Sequence, residues 1–301
     1  MSTEVTNNNV AETATLEGGE IEANETEAAT AEIRHETTIF AEPVLQFKNF
    51  TITNSLLTAW VALIILIVLS LTVGRKIKRI PGQLQNFAEV IIDGAMNLAD
   101  SVTNDRRITE KVFPLVFSVF LFVLVNNWLG LIPGVGSIGY LEEHGGESLF
   151  IPFFRGSTAD INTTLAMGLF SVIAANIFGV MVVGGWKYFN KFINVQTLIS
   201  IPSDMKHNMA AVIVNPIKFF VGLIEIIGEL AKVASLSFRL FGNIFAGEVL
   251  LMAMASIFAF ILPIPFMFLE VIVGIIQALI FAILTLVYFT IAAQDHSEES
   301  H

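Results

Sequence analysis

The chain has 301 residues, 54% hydrophobic and only 14% charged, whereas a soluble domain carries about 25% charged residues, so the composition excludes an ordinary soluble protein and indicates a membrane protein. The formal net charge of −11 belongs mostly to residues 1–46, which hold ten glutamates and a single basic residue, Arg34. The absence of cysteine excludes disulfides, thiol nucleophiles and zinc–thiolate sites.

Residues 1–46 are the first predicted domain, a disordered acidic extension. They are rich in Glu, Thr, Ala and Asn and carry few large apolar side chains. Such a segment cannot bury enough surface to order itself. A solvated tail is the favoured interpretation, and a partner-binding arm is the alternative. Residues 47–301 are the predicted membrane domain.

Five stretches of the membrane domain are apolar for long enough to cross a bilayer. A helix needs about 20 such residues to span a hydrocarbon core of about 30 Å. The predicted spans are residues 55–74, 112–132, 163–185, 209–258 and 264–292. Residues 81–105 carry apolar side chains at helical spacing and predict an amphipathic helix on the membrane surface.

The fourth predicted span is too long for an upright membrane helix. As a helix its 50 residues would measure about 75 Å, more than twice the bilayer core. No polar turn interrupts it, so we predict one long tilted helix rather than two short spans. After Pro263 and Pro265 the last span returns antiparallel to it, which completes an all-α integral membrane protein with a long helix hairpin.

Charged loops predict the orientation of the chain. Basic residues follow the first span at positions 75–79 and the third span at Lys187, Lys191 and Lys206. The loop 133–159 carries glutamates instead. Because cytoplasmic loops are enriched in Lys and Arg, we expect the amino terminus outside the cytoplasm and the carboxyl terminus inside.

Arg239 lies deep within the long predicted span, far from either polar boundary. A charge at that depth costs about 3 kcal/mol or more, and such residues mark functional sites. No Asp or Glu lies within six residues of it, so its counter-charge must come from elsewhere. Arginine does not deprotonate in proteins, so its role must be electrostatic rather than that of a proton relay.

Further polar residues recur at helical spacing along the same span. Lys232 lies seven residues before Arg239 and three after Glu229, so it shares a stripe with the arginine and can pair with the glutamate. The same spacings of four and seven residues include Ser235, Asn243 and Glu225. Glu225 lies about 21 Å from Arg239 toward the cytoplasm. It is either part of an ion path or a solvated charge near the boundary.

Antiparallel pairing of the last two spans brings polar residues to matching depths. Gln277 falls level with Arg239, and Glu248 falls opposite Glu270, about 11–13 Å nearer the outside. Two adjacent carboxylates cannot both ionise cheaply in a low dielectric, so one should hold a proton and suit a proton relay. A structural, hydrogen-bonded acid pair is the alternative.

Asp160 and Asn162 lie at the start of the third predicted span. Asp and Asn commonly cap the N-termini of helices, so a structural role is one interpretation. A place in a polar vestibule is the other, and the residues alone favour neither.

Residues 235–248 read Ser-Leu-Ser-Phe-Arg-Leu-Phe-Gly-Asn-Ile-Phe-Ala-Gly-Glu, and this run closely resembles the signature of subunit a of F-type ATP synthases. Four further segments fit the same family in consistent order: 81–86, 127–133, 158–165 and 277–281. The resemblance covers roughly residues 45–293. Some relatives have a histidine at one of the positions held here by Glu248 and Glu270, so a histidine relay is not expected in this chain.

The resemblance implies a stator subunit whose long helix hairpin curves against a ring of c subunits. Each c subunit carries one essential carboxylate, and Arg239 would be the essential arginine that meets it. Ions would enter by one half-channel, neutralise a ring carboxylate, travel almost a full turn and leave by the other. The resemblance assigns the outer half-channel to Asn243, Glu248, Glu270 and Gln277, and the inner one to Glu225 and Ser235. The vestibule candidates are Asp160, Asn162 and Asn127.

The resemblance also implies partners and a location. The expected partners are the c-subunit ring, the peripheral-stalk b subunits, other ATP synthase subunits and lipid, in a bacterial inner (plasma) membrane. We expect no nucleic acid, cofactor or metal. No phosphate-binding loop or catalytic triad spacing is present, so the chain is not expected to make or hydrolyse ATP itself. The expected ion is a proton, although the ring decides it.

Two other functions compete with ion translocation in a rotary enzyme. A self-contained secondary transporter or ion channel would carry ions alone, but no internal repeats are visible in the sequence. A structural membrane anchor would not need Arg239, Glu248 or Gln277. The unpaired arginine argues against both.

Overall fold

The computed structural model describes residues 38–294 apart from 49, 76, 79–81, 145–146, 187, 189–208 and 259–260. The long helices within these residues are α1 (Asn54–Gly74), α2 (Gln83–Thr103), α3 (Arg106–Leu131), α4 (Ile161–Val183), α5 (Met209–Ile257) and α6 (Pro263–Ala293). All of them except α2 contain a segment long and apolar enough to cross a membrane. The predicted all-α membrane fold with five spans is confirmed.

Helix starts follow from local capping chemistry. The Thr53 side chain accepts a hydrogen bond from the Leu56 N–H and begins α1. The carboxylate of Asp105 accepts the Arg107 N–H at 2.8 Å, so α3 begins at Arg106, six residues before the predicted span. α6 begins at Pro263, where a proline loses no helical hydrogen bond. The predicted spans corresponding to α1, α3 and α6 began later, at residues 55, 112 and 264, because the length of an apolar stretch does not locate the first turn of a helix.

The long helix α5 is continuous over its 49 residues, a length of about 74 Å. This confirms one long helix rather than two short spans. α6 runs antiparallel to it, and the Asn243 side chain donates to the Gln277 side chain across the pair at 2.7 Å. The predicted level of Gln277 was Arg239, so the observed partner lies one helical turn nearer the α5 carboxyl end.

Two β-hairpins, which the sequence did not predict, cover one end of the helix bundle. β1 (Pro43–Phe47) pairs with β2 (Phe50–Thr53), and β3 (Gly139–His144) pairs with β4 (Glu147–Pro152), both antiparallel. We call this end the hairpin end and the opposite one the α2 end. The predicted domain boundary at residue 46 falls within β1. Residues 1–37 lie outside the described part of the chain, so the disordered extension stays a prediction.

The packed core decides which face of α5 is buried. Leu236 and Leu240 are 1% and 0% exposed and pack against apolar side chains of α3, α4 and α6. α4 approaches this face so closely that a Cβ atom at Gly168 would overlap the Ser237 hydroxyl. Because side chains on a helix turn by about 100° per residue, burial of this face leaves Arg239 on the surface.

Candidate functional site

Arg239 occupies the exposed face of α5, near the middle of its membrane-spanning segment Ile224–Ile257. Its Nη2 donates to the Ser235 hydroxyl at 3.2 Å, one helical turn away. Within the part of the chain that the structure describes, it makes no ion pair. No described residue therefore supplies a counter-charge to this cation.

A pair of amides lies next to this arginine, toward the hairpin end. Asn243 donates to the Oε1 of Gln277 at 2.7 Å, and Gln277 is almost fully buried. The Nε2 of Gln277 is buried and finds no hydrogen-bond partner among the described residues. An unpaired buried donor is costly, so this N–H group suits a position where a water oxygen accepts its hydrogen bond.

Glu248 forms a partly buried ion pair with an arginine that the sequence did not single out. Arg155, in the loop before α4, donates its Nε and Nη2 to the Glu248 carboxylate at 3.0 Å each. The Arg155 side chain is 6% exposed and that of Glu248 is 30% exposed. Arg155 Nη1 also donates to the Phe40 carbonyl at 3.3 Å and the Thr38 hydroxyl at 3.4 Å.

Glu270 lies at the predicted depth, next to the residue before Glu248, but Glu248 is paired with an arginine rather than with Glu270. The carboxyl group of Glu270 packs against Gly247, the residue before Glu248, and a Cβ atom at 247 would overlap it. A guanidinium, rather than a second carboxyl, is the partner of Glu248. Glu270 is 7% exposed and has no hydrogen bond to a described residue. Burial of an unpaired charge is costly, and no described residue offsets that cost for Glu270, whereas Arg155 offsets it for Glu248.

The vestibule candidates hold helices and loops together at the hairpin end. Asp160 caps α4, since it accepts the Asn162 N–H at 3.1 Å, and it also accepts the Ser55 hydroxyl at 3.0 Å. Asn127 accepts the Thr158 hydroxyl at 2.8 Å and donates to the Gly274 carbonyl at 3.0 Å. Asn162 is exposed. The capping interpretation of Asp160 is confirmed, and a vestibule role stays a prediction.

A second polar cluster lies on the other side of Arg239, toward the α2 end. Lys232 Nζ lies 2.6 Å from the Glu229 Oε1, which confirms the predicted pair. Asn176 of α4 donates to the Glu229 Oε2 at 3.1 Å and accepts the Tyr188 hydroxyl at 2.5 Å. These side chains border a small cavity of about 10 Å³, close to the smallest space that holds a water. Tyr288, Ile291 and Ala292 of α6 also line this cavity.

Burial, together with the negative charges of Glu229 and Glu225, raises the pKa of Tyr188 to about 12. Its hydroxyl therefore stays protonated at physiological pH and acts as a fixed hydrogen-bond donor to Asn176. Glu225 thus lies within electrostatic range of this cluster. The structure does not bring Glu225 to Arg239 directly.

Sequence signals for the two missed residues exist but are weak. Arg155 is the only Lys or Arg between Lys111 and Lys187, and it lies five residues before Asp160, at the same end as Glu248. Asn176 is an amide inside an apolar span, a residue type that commonly bonds across membrane helices. Neither signal identifies the partner residue, because Glu248 is 93 residues from Arg155 and Glu229 is 53 residues from Asn176.

Comparison with known proteins gives one consistent result. Residues 56–290 match the family described as ATP synthase A chain. ATP synthase subunit a of Trichlorobacter lovleyi is 32% identical over 248 residues, which cover 82% of this chain and 89% of the relative. The same subunit of Syntrophobacter fumaroxidans is 33% identical over 260 residues, 85% and 90% of the two chains. That of Geobacter sulfurreducens is 32% identical over 242 residues, 80% and 86%.

Proposed function

Because the chain belongs to the ATP synthase A chain family, we propose that it carries ions through two half-channels that meet a rotating c-subunit ring at Arg239. Membership makes the chain a multi-pass membrane subunit of the ion-translocating Fo sector, which works with other ATP synthase subunits. The half-channels, the ring contact and the role of each residue belong to the proposal.

One observation carries the proposal: Arg239 is an exposed arginine in the middle of a membrane-spanning segment, with no ion pair to any described residue. A permanent charge facing lipid would be costly, so such residues face protein or a water-filled path. A ring of carboxylates moving past this face would supply the counter-charge one at a time. Between carboxylates, the cation would repel any ion that tried to cross directly.

The outer half-channel runs from the hairpin end to Arg239 in this proposal. Its side chains are Asn243, Glu248, Glu270 and Gln277. The unpaired Nε2 of Gln277 and the buried carboxyl of Glu270 support it, because both offer hydrogen-bonding capacity that no described residue uses. Ions would pass from Glu270 toward the Asn243–Gln277 pair and then to the ring carboxylate.

The inner half-channel leads from Arg239 toward the α2 end and uses Ser235 and Glu225. The hydrogen bond between Ser235 and Arg239 supports a polar route on this side. We further propose that the hairpin end faces away from the cytoplasm and that the ion is a proton. The chain would contact b subunits as well as the ring, and it would take no part in the chemistry of ATP itself.

The direct test replaces Arg239 with Ala in the assembled synthase. We expect coupled ATP synthesis to be lost while the complex still assembles, because the substitution removes only the charge that the ring carboxylate meets. Phe238→Ala, a change at the neighbouring and 60% exposed side chain, is the matched control and should retain synthesis. Full coupled synthesis by the Arg239→Ala variant would overturn the proposal.

Liposomes that hold this chain alone provide the second arm of the test. Two half-channels that do not join should pass few ions without a ring. Sustained ion flux through the chain alone would favour a self-contained channel or transporter instead.

A further inference from the structure

Two basic residues lie on the same stripe of α5, where Arg239 is exposed and Lys232 is half-buried. Lys232 and Arg239 are seven residues apart, which places them within about 20° of each other around the helix and about 10.5 Å apart along it. A carboxylate that passes this face would be attracted by both charges. If both cations were free, it could stop at the lysine instead of reaching or leaving the arginine.

The structure gives these two cations opposite surroundings. The ammonium group of Lys232 lies 2.6 Å from the Glu229 Oε1 and 5.3 Å from the centre of the Tyr288 ring. A cation over an aromatic face at this distance is attracted by it. The side chains of Lys232 and Glu229 are 27% and 18% exposed. Arg239 has only the neutral Ser235 hydroxyl as a partner among the described residues.

Glu229 is itself held in place from the neighbouring helix. The amide nitrogen of Asn176 donates to the Glu229 Oε2 at 3.1 Å and to the Val172 carbonyl at 2.8 Å. Its amide oxygen accepts the Tyr188 hydroxyl. Both neighbours of the nitrogen are acceptors, so the amide is fixed with its NH₂ group toward the carboxylate. One Glu229 oxygen is thereby bound to α4, and the other is directed at Lys232.

We propose that Glu229 is a positioning residue that neutralises Lys232 and holds it off the ring-facing surface, so that Arg239 is the free cation of this stripe. This inference rests on the proposed function, since it needs a ring carboxylate that passes this face of α5 and is attracted by its basic residues. It differs from two other roles for Glu229. A proton relay would need the carboxyl group of Glu229 itself. A purely structural role would need the ion pair between Glu229 and Lys232.

The test is a double-mutant cycle in the assembled synthase, read out as ATP-driven ion pumping. Glu229→Gln keeps the shape of the side chain and releases Lys232. We expect pumping to fall about tenfold, the order of magnitude of the attraction of one unpaired charge near 10 Å at an effective dielectric constant of about 20. Lys232→Gln alone leaves Glu229 without its ion-pair partner and should also slow pumping, whereas the double variant Glu229→Gln with Lys232→Gln leaves no uncompensated charge and should pump like the wild type. Glu229→Asp keeps a carboxylate next to Lys232 and should retain most of the wild-type pumping.

The pattern of rescue decides among the three roles. If the double variant is as slow as Glu229→Gln, the carboxyl group or the ion pair is needed for itself and the inference is overturned. Wild-type pumping by Glu229→Gln overturns it as well. If Glu229→Gln does not assemble, the double variant alone decides: wild-type pumping supports the inference, and loss of pumping overturns it.

Arg239→Ala, measured in the same preparations, separates this inference from the proposed function. Retained pumping by Arg239→Ala would overturn the proposed function. An inactive Arg239→Ala together with a fully active Glu229→Gln would overturn only the role of Glu229.

Discussion

Two arginines in this apolar chain have nearly opposite environments. Arg155 is 6% exposed and donates hydrogen bonds to the Glu248 carboxylate, the Phe40 carbonyl and the Thr38 hydroxyl. Arg239 is exposed, lies in the middle of a membrane-spanning segment and, among the described residues, hydrogen-bonds only to Ser235. The first has a carboxylate partner in its own chain, whereas no described residue supplies a counter-charge to the second.

The difference distinguishes a structural charge, Arg155, from Arg239, for which we propose a role in ion transport. A buried ion pair adds little net stability, but removal of one partner leaves the other charge buried and uncompensated. Arg155 therefore holds Glu248 of α5 against the loop that precedes α4. An arginine that had its own permanent partner could not exchange carboxylates, so the isolation of Arg239 suits a role against a moving ring.

The largest expected effect on stability comes from the paired arginine. Arg155→Ala should lower the free energy of unfolding by about 2 kcal/mol, because the partly buried Glu248 carboxylate would lose its hydrogen-bonded partner. The matched control is Arg106→Ala, which removes an exposed arginine paired with Asp100 and Glu110 and should change stability little. Thermal unfolding of the detergent-solubilised chain measures both. Equal stability of the two variants would show that the buried pair is not structural.

A second prediction gives Arg239 the permanent partner that it lacks. Ser235→Glu places a carboxylate one turn before Arg239, in the favourable orientation for an ion pair on a helix. Coupled ion transport should fall about tenfold or more, because the new carboxylate competes with that of the ring. Ser235→Gln has the same length without the charge and should retain most of the transport. Equal transport by the two variants would mean that Arg239 need not be free.

A smaller effect is expected at Asp160, where capping is observed and a vestibule role is only predicted. Asp160→Ala should destabilise the chain by about 1 kcal/mol, because the first turn of α4 loses its cap. Asp160→Asn should cost less, since its amide oxygen can still accept the Asn162 N–H. Thermal unfolding and ion transport, measured together, separate the two roles. Reduced transport by a fully stable Asp160→Asn variant would support the vestibule.

The fold was largely predictable because the bilayer imposes strong rules on sequence. The lengths of the apolar stretches set the spans, and the lack of a polar turn in α5 predicted one continuous helix. Antiparallel pairing after Pro263 placed Gln277 within one turn of its observed partner Asn243. The β-hairpins were missed because strands of four to six residues leave too little alternation to detect.

The site was predictable only where its residues share a helix or a hairpin. The Glu229–Lys232 pair follows from a spacing of three residues on one helix. The partner of Glu248 did not follow, because Arg155 lies in an irregular loop whose path the sequence does not specify. The same holds for Asn176, which reaches Glu229 from another helix. Long-range polar pairs depend on how the helices pack, and packing is decided by many apolar contacts at once.

The most direct test of the central claim measures passive proton flux through the assembled membrane sector in liposomes, without nucleotide. If Arg239 is the cation that keeps the two half-channels apart, Arg239→Ala liposomes should lose an imposed proton gradient faster than wild-type liposomes. Phe238→Ala liposomes should hold the gradient like the wild type. A gradient held equally well by Arg239→Ala and wild-type liposomes would contradict the account.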